Sequence, residues 1–149
     1  MSALRRAILV GLFAVAVGAV APRPAIEAQG AWIRPAAAGM NGAGYLTLVN
    51  RGAAPERLIA AASPVAARVT LHQSRQMGAM MTMTPVPFLA IPPGGRAVLS
   101  PGGYHLMFEH LARPLRLGDH VPLTLTFAHA RPLRVTLAVA NAAPAAPPP

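Results

Sequence analysis

Short apolar runs alternate with turn residues along the middle of the chain. In "VPLTLTFAH", Leu123, Leu125 and Phe127 can face one way while Thr124 and Thr126 face the other. This period of two residues is typical of β-strands, in which successive side chains point to opposite faces of a sheet. The segments that predict strands are "GYLTLVN", "ARVTLHQ", "MMTMTPV", "RAVLS", "YHLMFEH", "VPLTLTFAH" and "LRVTLAVAN".

The runs are not separated by helices of adequate length, although "APERLIAAASPVAA" could hold one helical turn. Short strands at this spacing favour an all-β fold, either an antiparallel sandwich or a barrel. The 149 residues suit a single domain of ordinary size. We place this domain at residues 29–141, after a signal and linker at 1–28 and before a disordered Ala/Pro tail at 142–149.

The N-terminal segment has the pattern of an export signal. Two arginines precede fifteen apolar residues, Ala7–Ala21, a run that is short for a membrane span but suits a signal-peptide core. Cleavage after Ala21 fits the small-residue pattern, although Pro22 follows it directly, and cleavage after Ala28 is the alternative. We expect a periplasmic protein with no stable membrane insertion after cleavage.

Composition and charge remove several classes of function. The 149 residues include no cysteine, which excludes disulfides, thiolate metal sites and lipid attachment to a cysteine of this chain. The net charge of +9 is a first sign of nucleic-acid binding. However, all thirteen basic residues are arginines, and those of the predicted domain are scattered singly and without interleaved aromatic residues. We therefore expect no nucleic-acid partner, while attraction to an acidic protein or an anionic surface stays open.

Two histidines and two methionines form the candidate site. His72 ends the strand "VTLH", Met83 follows after ten intervening residues, and His105 follows after twenty-one more. Met107 completes an H-x-M pair, in which both side chains share one strand face. Because hairpins bring strand ends together, the four side chains can converge at one end of the sheet.

The chemistry of these four side chains would suit a soft metal ion. A thioether is a poor ligand for zinc or magnesium but a good one for Cu(I), and imidazole suits copper in either oxidation state. Thioethers carry no proton that a metal must displace, so only the histidines would couple binding to pH. The alternative is structural, because methionines on strands usually fill the core. Spacing alone leaves both interpretations open.

A resemblance to a known family runs through nearly the whole predicted domain. It is carried by "AWIRPA", "GYLTLVN", "LHQSRQMGAMMTMTPV", "IPPGG", "PGGYHLMF", "LGDHVPLTLTF" and "VTLAV". Together these segments resemble the periplasmic copper chaperone family called PCu(A)C. That family carries a histidine, ten residues, a methionine, twenty-one residues and then histidine-x-methionine, and His72, Met83, His105 and Met107 match all four positions.

The resemblance implies a cupredoxin-like Greek-key β-sandwich that binds Cu(I) through these four residues at an exposed site. It also implies delivery of copper to respiratory oxidase assembly, typically the CuA centre of cytochrome c oxidase. The partner would be a copper-accepting oxidase subunit or another copper assembly protein. Two features depart from the family: Gln73 stands where an acidic residue or methionine is common, and the tail "APAAPPP" lacks the histidines and methionines of some relatives.

Other residues near the pattern are open to two interpretations. Met81 is either an auxiliary ligand or a packing residue. Met77 and Met80 flank Gly78 in a predicted loop over the site, where they either intercept copper or are structural. Trp32 is expected to pack in the fold, with shielding of the metal as the alternative. The remaining histidines, predicted to lie on the surface, are His110, His120 and His129.

Catalysis is not expected. The acids of the predicted domain, Glu56, Glu109 and Asp119, form no evident triad with a histidine and a nucleophile. An electron-transfer cupredoxin is also disfavoured, because blue-copper sites depend on a thiolate. The alternative to a copper carrier is therefore a metal-free exported β-sandwich that acts as a scaffold or interaction module.

Overall fold

The computed structural model describes Gly18 and residues 24–145, and all regular secondary structure in that part of the chain is β-strand. The strands are β1 (Ile26–Ile33), β2 (Gly42–Asn50), β3 (Glu56–Ala62), β4 (Ala66–Met77), β5 (Met80–Pro85), β6 (Leu89–Ile91), β7 (Arg96–Leu99), β8 (Tyr104–Leu111), β9 (His120–Phe127) and β10 (Leu133–Val139). The predicted all-β class and single domain are confirmed. No helix among these residues is long and apolar enough to cross a membrane. Apart from Gly18, the predicted signal core lies outside the described residues, as do residues 146–149 of the predicted tail.

The strands form one sheet that closes on itself. Their order is β5-β4-β8-β7-β2-β1-β10-β9-β3-β6, and an additional pairing of Ala61 on β3 with Val69 on β4 closes the ring. This closure leaves β5 and β6 as appendages of β4 and β3. Neighbouring strands are antiparallel except β1 with β10 and β7 with β8. The sheet is therefore closed and barrel-like.

The inner faces of the strands supply one apolar core. Leu123, Leu125 and Phe127 are all buried, as their alternation predicts, and they belong to the same cluster as Phe108 of β8. Gly44 on β2 makes room for the Phe108 ring, because a Cβ at this position would come within 2.9 Å of Cε2. In a close-packed interior, a side chain at Gly44 would therefore displace the ring. This glycine allows the inner faces of β2 and β8 to pack closely.

The pattern of side chains predicted seven of the strands but missed β1, β3 and β6. The possible helical turn in "APERLIAAASPVAA" is wrong, since this segment forms β3 followed by a turn. Leu58 is buried and Ile59 exposed, as in any strand, but the following alanines hide the alternation. β3 is held by its pairing with β9 and β6. Such pairing to neighbours outweighs the weak intrinsic preference of the sequence.

The domain also begins earlier than predicted. Ile26 is buried and pairs with Asn50, while Glu27 and Ala28 pair with the two residues that precede Asn50 on β2. Residues 26–28, which were assigned to a linker, therefore belong to β1. Composition could not reveal this, because the burial of Ile26 depends on the approach of β2.

Glu56, at the start of β3, is a buried carboxylate that holds the β9–β10 connection. Its oxygens accept hydrogen bonds from the backbone N–H groups of Arg57, His129 and Ala130 at 2.9, 3.0 and 2.8 Å. Burial raises the pKa of Glu56, but these hydrogen bonds and the nearby His129 outweigh it, so the pKa lies below its ordinary value of 4.5. A lowered pKa means that the folded state favours the ionised carboxylate.

We expect Glu56→Gln to lower the free energy of unfolding at pH 7 by roughly 2 kcal/mol, because hydrogen bonds to a charged acceptor are stronger than those to an amide. The stabilisation by Glu56 is present above the unfolded-state pKa and is lost as pH falls through the lower folded-state pKa. Urea unfolding measures this at pH 7 and in acid. The difference in free energy of unfolding between the wild type and Glu56→Gln should be smaller in acid than at pH 7. Glu27→Gln, which removes a partly exposed ion pair with Arg51, is the matched control. An equal loss in both variants would contradict the assignment.

We expect the exported protein to retain Ile26, because cleavage after Ala28 would remove three residues that pair with β2. Intact-mass analysis should place the mature N-terminus upstream of Ile26. In thermal unfolding, a chain that starts at Pro22 should be more stable than one that starts at Gln29. A mature protein that starts at Gln29 would show that export processing cuts inside β1.

Candidate metal-binding site

Two histidines face each other across the pairing of β4 with β8. His72 on β4 is the register partner of His105 on β8. Their imidazole rings are stacked, with centroids 5.8 Å apart and an angle of 27° between the planes. Leu106 and Phe108 of β8 belong to the core, so strand alternation directs His105 to the outer face of the sheet. The pairing of the two strands therefore sets the histidines side by side outside the core.

Each imidazole uses one nitrogen and leaves the other free. Nδ1 of His105 lies 3.3 Å from the backbone oxygen of Gly103, and Nε2 of His72 lies 2.9 Å from the hydroxyl of Thr70. The opposite nitrogens, Nδ1 of His72 and Nε2 of His105, are buried and have no hydrogen-bond partner. A carbonyl oxygen only accepts, so Nδ1 of His105 carries the proton and Nε2 keeps its lone pair. Such second contacts are what fix the tautomer and ring orientation of a metal-binding histidine.

Both candidate methionines lie on the same outer face as the histidines. Met107 follows His105 by two residues on β8. Met83 on β5 is the register partner of Ser74, which follows His72 by two residues on β4. Directly opposed residues of an antiparallel pair share a face, so the four predicted ligands span β5, β4 and β8. Neighbouring strands lie about 4.8 Å apart, a spacing that long thioether side chains can bridge.

Exposure differs strongly among the four side chains. His105 is 3% exposed, although it lies on the outer face, whereas Met83 is 56% exposed. His72 and Met107 are intermediate. The site is therefore closed on the β8 side and open to solvent on the β5 side.

The surroundings of His72 keep its ring neutral. Burial lowers the pKa of His72, and the neighbouring His105 lowers it further. Glu109 acts in the opposite direction, and Arg68 adds a smaller decrease. The pKa of His72 therefore lies below its ordinary value of 6.5, so at neutral pH the ring holds a lone pair that it can donate to a metal ion.

The structure also shows supporting residues that the sequence reasoning missed. Asn41 directs its side-chain nitrogen at the sulfur of Met107, at 3.9 Å. Arg68 on β4 forms an ion pair and hydrogen bond with Glu109 on β8. Strand alternation could have identified three of the supporting residues, because every second residue of a strand shares a face. Thr70 and Arg68 lie two and four residues before His72, and Glu109 lies four residues after His105. Asn41 carried no such signal, because it is 66 residues away from Met107.

The other methionines of the β4–β5 hairpin divide between its two faces. Met81 lies two residues from Met83, on the site face, and is exposed. Met77 and Met80 pair with each other at the strand ends, around the two-residue turn Gly78–Ala79. Strand alternation places them on the opposite face of the hairpin. The predicted loop over the site is therefore wrong: the segment is a tight hairpin turn.

The remaining candidates lie in other surroundings. Trp32 packs against Tyr45, with ring centroids 4.8 Å apart, and Arg34 lies over both rings. This confirms a packing role for Trp32. His110, His120 and His129 are exposed, as predicted, and His129 pairs with Glu56.

The donor set at this site is soft. Among the described residues, no three His, Cys, Asp or Glu side chains are arranged to hold a metal ion. A metal ion between His72 and His105 would therefore have to complete its coordination with thioether sulfur. Two neutral imidazoles and two thioethers suit Cu(I) much better than zinc or magnesium.

Comparisons with known proteins agree with this arrangement. A model of the LpqE-like lipoprotein family matches residues 26–139, whereas no curated protein sequence matches the chain. The chain is 32% identical to the DR1885 protein of Deinococcus radiodurans in its metal-free solution structure, with a TM-score of 0.59 and 93% of each chain covered. The Cu(I) form of DR1885 is 34% identical over 74% of this chain and 76% of that chain, with a TM-score of 0.58.

A third relative adds a likeness of fold. The copper-bound PCuAC domain of PmoF2 is 24% identical, with a TM-score of 0.64 over 77% of this chain and 92% of that domain. The family match covers most of the chain, and the DR1885 structure matches over nearly the full length of both proteins. The chain therefore belongs to the PCu(A)C family, of which the LpqE-like proteins are members.

Proposed function

We propose that this protein is an exported copper chaperone that binds one Cu(I) ion through His72, Met83, His105 and Met107. The observation that carries the proposal is the pair of buried, unpartnered imidazole nitrogens on the stacked histidines. Buried polar atoms in native proteins nearly always have a partner, and an ion that binds at the site is one of the few explanations for an exception. A Cu(I) ion would supply the missing partner for both nitrogens.

The ligand chemistry favours Cu(I) as the cargo. Thioethers stabilise a soft monovalent ion, and neither nitrogen needs to lose a proton when the histidines are neutral. The relatives support the same metal, since DR1885 has been solved in its Cu(I) form and the PmoF2 domain with copper bound. Binding and release of an ion need no catalytic group, in keeping with a carrier that is not an enzyme.

The destination and the finer architecture are also part of the proposal. We infer that the closed sheet is a cupredoxin-like Greek-key β-sandwich and that the apolar N-terminal segment directs the chain to the periplasm. The lipoprotein description of the family supports export, although the 149 residues offer no cysteine for a lipid. The acceptor would be a copper-accepting oxidase subunit, with the CuA centre of cytochrome c oxidase as the specific site, or another copper assembly protein.

The gradient of exposure supports transfer by ligand exchange. Met83 lies on β5, which pairs only with β4 among the described strands, and more than half of its side chain is exposed. An incoming ligand of the acceptor can therefore replace Met83 first. His105 is almost fully buried and would be the last ligand to leave.

We expect competition titration with a chromophoric chelator to show one tight Cu(I) equivalent for the wild type. Met83→Leu and His72→Gln should each weaken binding by about tenfold or more, because loss of a ligand should cost at least as much as loss of an outer-shell partner. Met77→Leu, on the other face of the hairpin, and His120→Gln, an exposed residue at the start of β9, are the matched controls and should bind as the wild type does.

Thermal unfolding of each metal-free variant would show that a loss of binding is not a loss of fold. Equal weakening in Met77→Leu and Met83→Leu would contradict the assignment of ligands. A wild type that binds no Cu(I) would instead support the metal-free scaffold.

We expect the Cu(I)-loaded protein to pass copper to the metal-free soluble domain that carries the CuA centre, measured as copper content after the two proteins are separated. Met83→Leu should release copper faster than Met107→Leu, because Met83 is the more exposed ligand and the first to be replaced. Stopped-flow mixing with the chelator measures this order. Tight Cu(I) binding without transfer to the CuA domain would contradict that acceptor and leave a different copper assembly protein as the recipient.

A further inference from the structure

An ion pair continues the same ladder of side chains that contains the candidate site. On the outer face of β4 and β8, the pair His72–His105 is followed by Thr70–Met107 and then by Arg68–Glu109. Same-face residues of one strand lie about 7 Å apart. Glu109 is thus the outer-face neighbour of Met107, and of the four acids in the chain it alone lies on β4 or β8.

The Glu109 carboxylate is engaged by Arg68. The Nε atom of Arg68 donates a hydrogen bond to Oε2 of Glu109, and this contact is also an ion pair. The Glu109 side chain is only 17% exposed, whereas that of Arg68 is 70% exposed, so the arginine covers the carboxylate from the solvent side. Glu109 lies four residues from His105 along β8, too far to share one ion with the two histidines, and the described part of the chain has no three-residue metal cluster.

A free carboxylate at this position would change the metal preference of the site. An unpaired negative charge would attract a divalent ion twice as strongly as a monovalent ion at the same distance. This difference would favour Zn(II) and Cu(II) at the expense of selectivity for Cu(I).

We propose that Arg68 sets the metal selectivity of the site: by holding and neutralising Glu109, it removes a negative charge beside Met107 and thereby disfavours divalent metals. This inference rests on the proposed Cu(I) function and specifies how the site rejects other ions. The metals that it disfavours are Zn(II) and Cu(II), which carry twice the charge of Cu(I).

The test compares the affinities of the purified domain for Zn(II) and Cu(I), each measured by competition with a chromophoric chelator. Arg68→Met retains an apolar stem but removes the charge. It should tighten Zn(II) binding by about tenfold or more, the size of effect that outer-shell partners have on metal affinity, and Cu(I) binding by only about threefold, because the same charge attracts a monovalent ion half as strongly. Arg68→Lys keeps a cation beside Glu109 and should restore the selectivity of the wild type.

A double variant separates the role of the carboxylate from that of the arginine charge. In a Glu109→Gln background, Arg68→Met should leave Zn(II) affinity unchanged, because no carboxylate remains to be released. Equal tightening with and without Glu109 would overturn the proposal, as would an unchanged Zn(II) affinity in the single variant. Thermal unfolding of the metal-free proteins checks that Arg68→Met is folded.

The outcomes also separate this inference from the proposed function. Cu(I) binding that requires His72 and Met83, together with a Zn(II) affinity that ignores Arg68, would overturn the selectivity role alone. Failure of the wild type to bind Cu(I) would overturn both.

Discussion

The pairing of β4 with β8 is the constraint on which the site depends. Alternation along β8 gives Leu106 and Phe108 to the core and leaves His105 on the outer face. The register then sets His72 directly opposite His105. A shift of one residue in this register would turn every side chain of one strand to the wrong face. The stability of the core therefore fixes the geometry of the histidine pair, and no separate loop is needed to position it.

Burial of the stacked histidines costs free energy in the metal-free protein. Their two free nitrogens are buried without a partner, an arrangement that costs about 1–3 kcal/mol per group. The other nitrogen of each ring is held by the Gly103 carbonyl or the Thr70 hydroxyl, which restricts the rings to one orientation. The protein thus holds the two rings side by side in advance of binding. Such preorganisation raises affinity because little ordering remains when the ion enters.

The buried and the exposed ligands lie on strands that differ in the number of strands they pair with. β8 is one of the strands that form the closed ring, and it pairs with β4, β2 and β7. In contrast, β5 pairs only with β4 among the described strands. The ligands on β8 are consequently held by the core, while Met83 lies at an open edge. A carrier needs this combination, since a fully enclosed ion could not be passed on. Along the strands, the Arg68–Glu109 pair lies on the opposite side of the histidines from Met83, where it can influence the kind of ion without obstructing the exit.

The sequence by itself determined the all-β class, seven of the strands and the four candidate ligands. It could do so because period-two alternation is a local signal and because the spacing of histidines and methionines resembles that of a known family. It missed β1, as well as β3 and β6, where alanines and short length hide the alternation, and it placed the start of the domain too late. Only the tertiary structure decided that His72 stacks on His105, that Met77 and Met80 face away from the site, and that Arg68 engages Glu109. These facts depend on the register between strands far apart in the chain, which is set by packing of the whole core and is not encoded in any single segment.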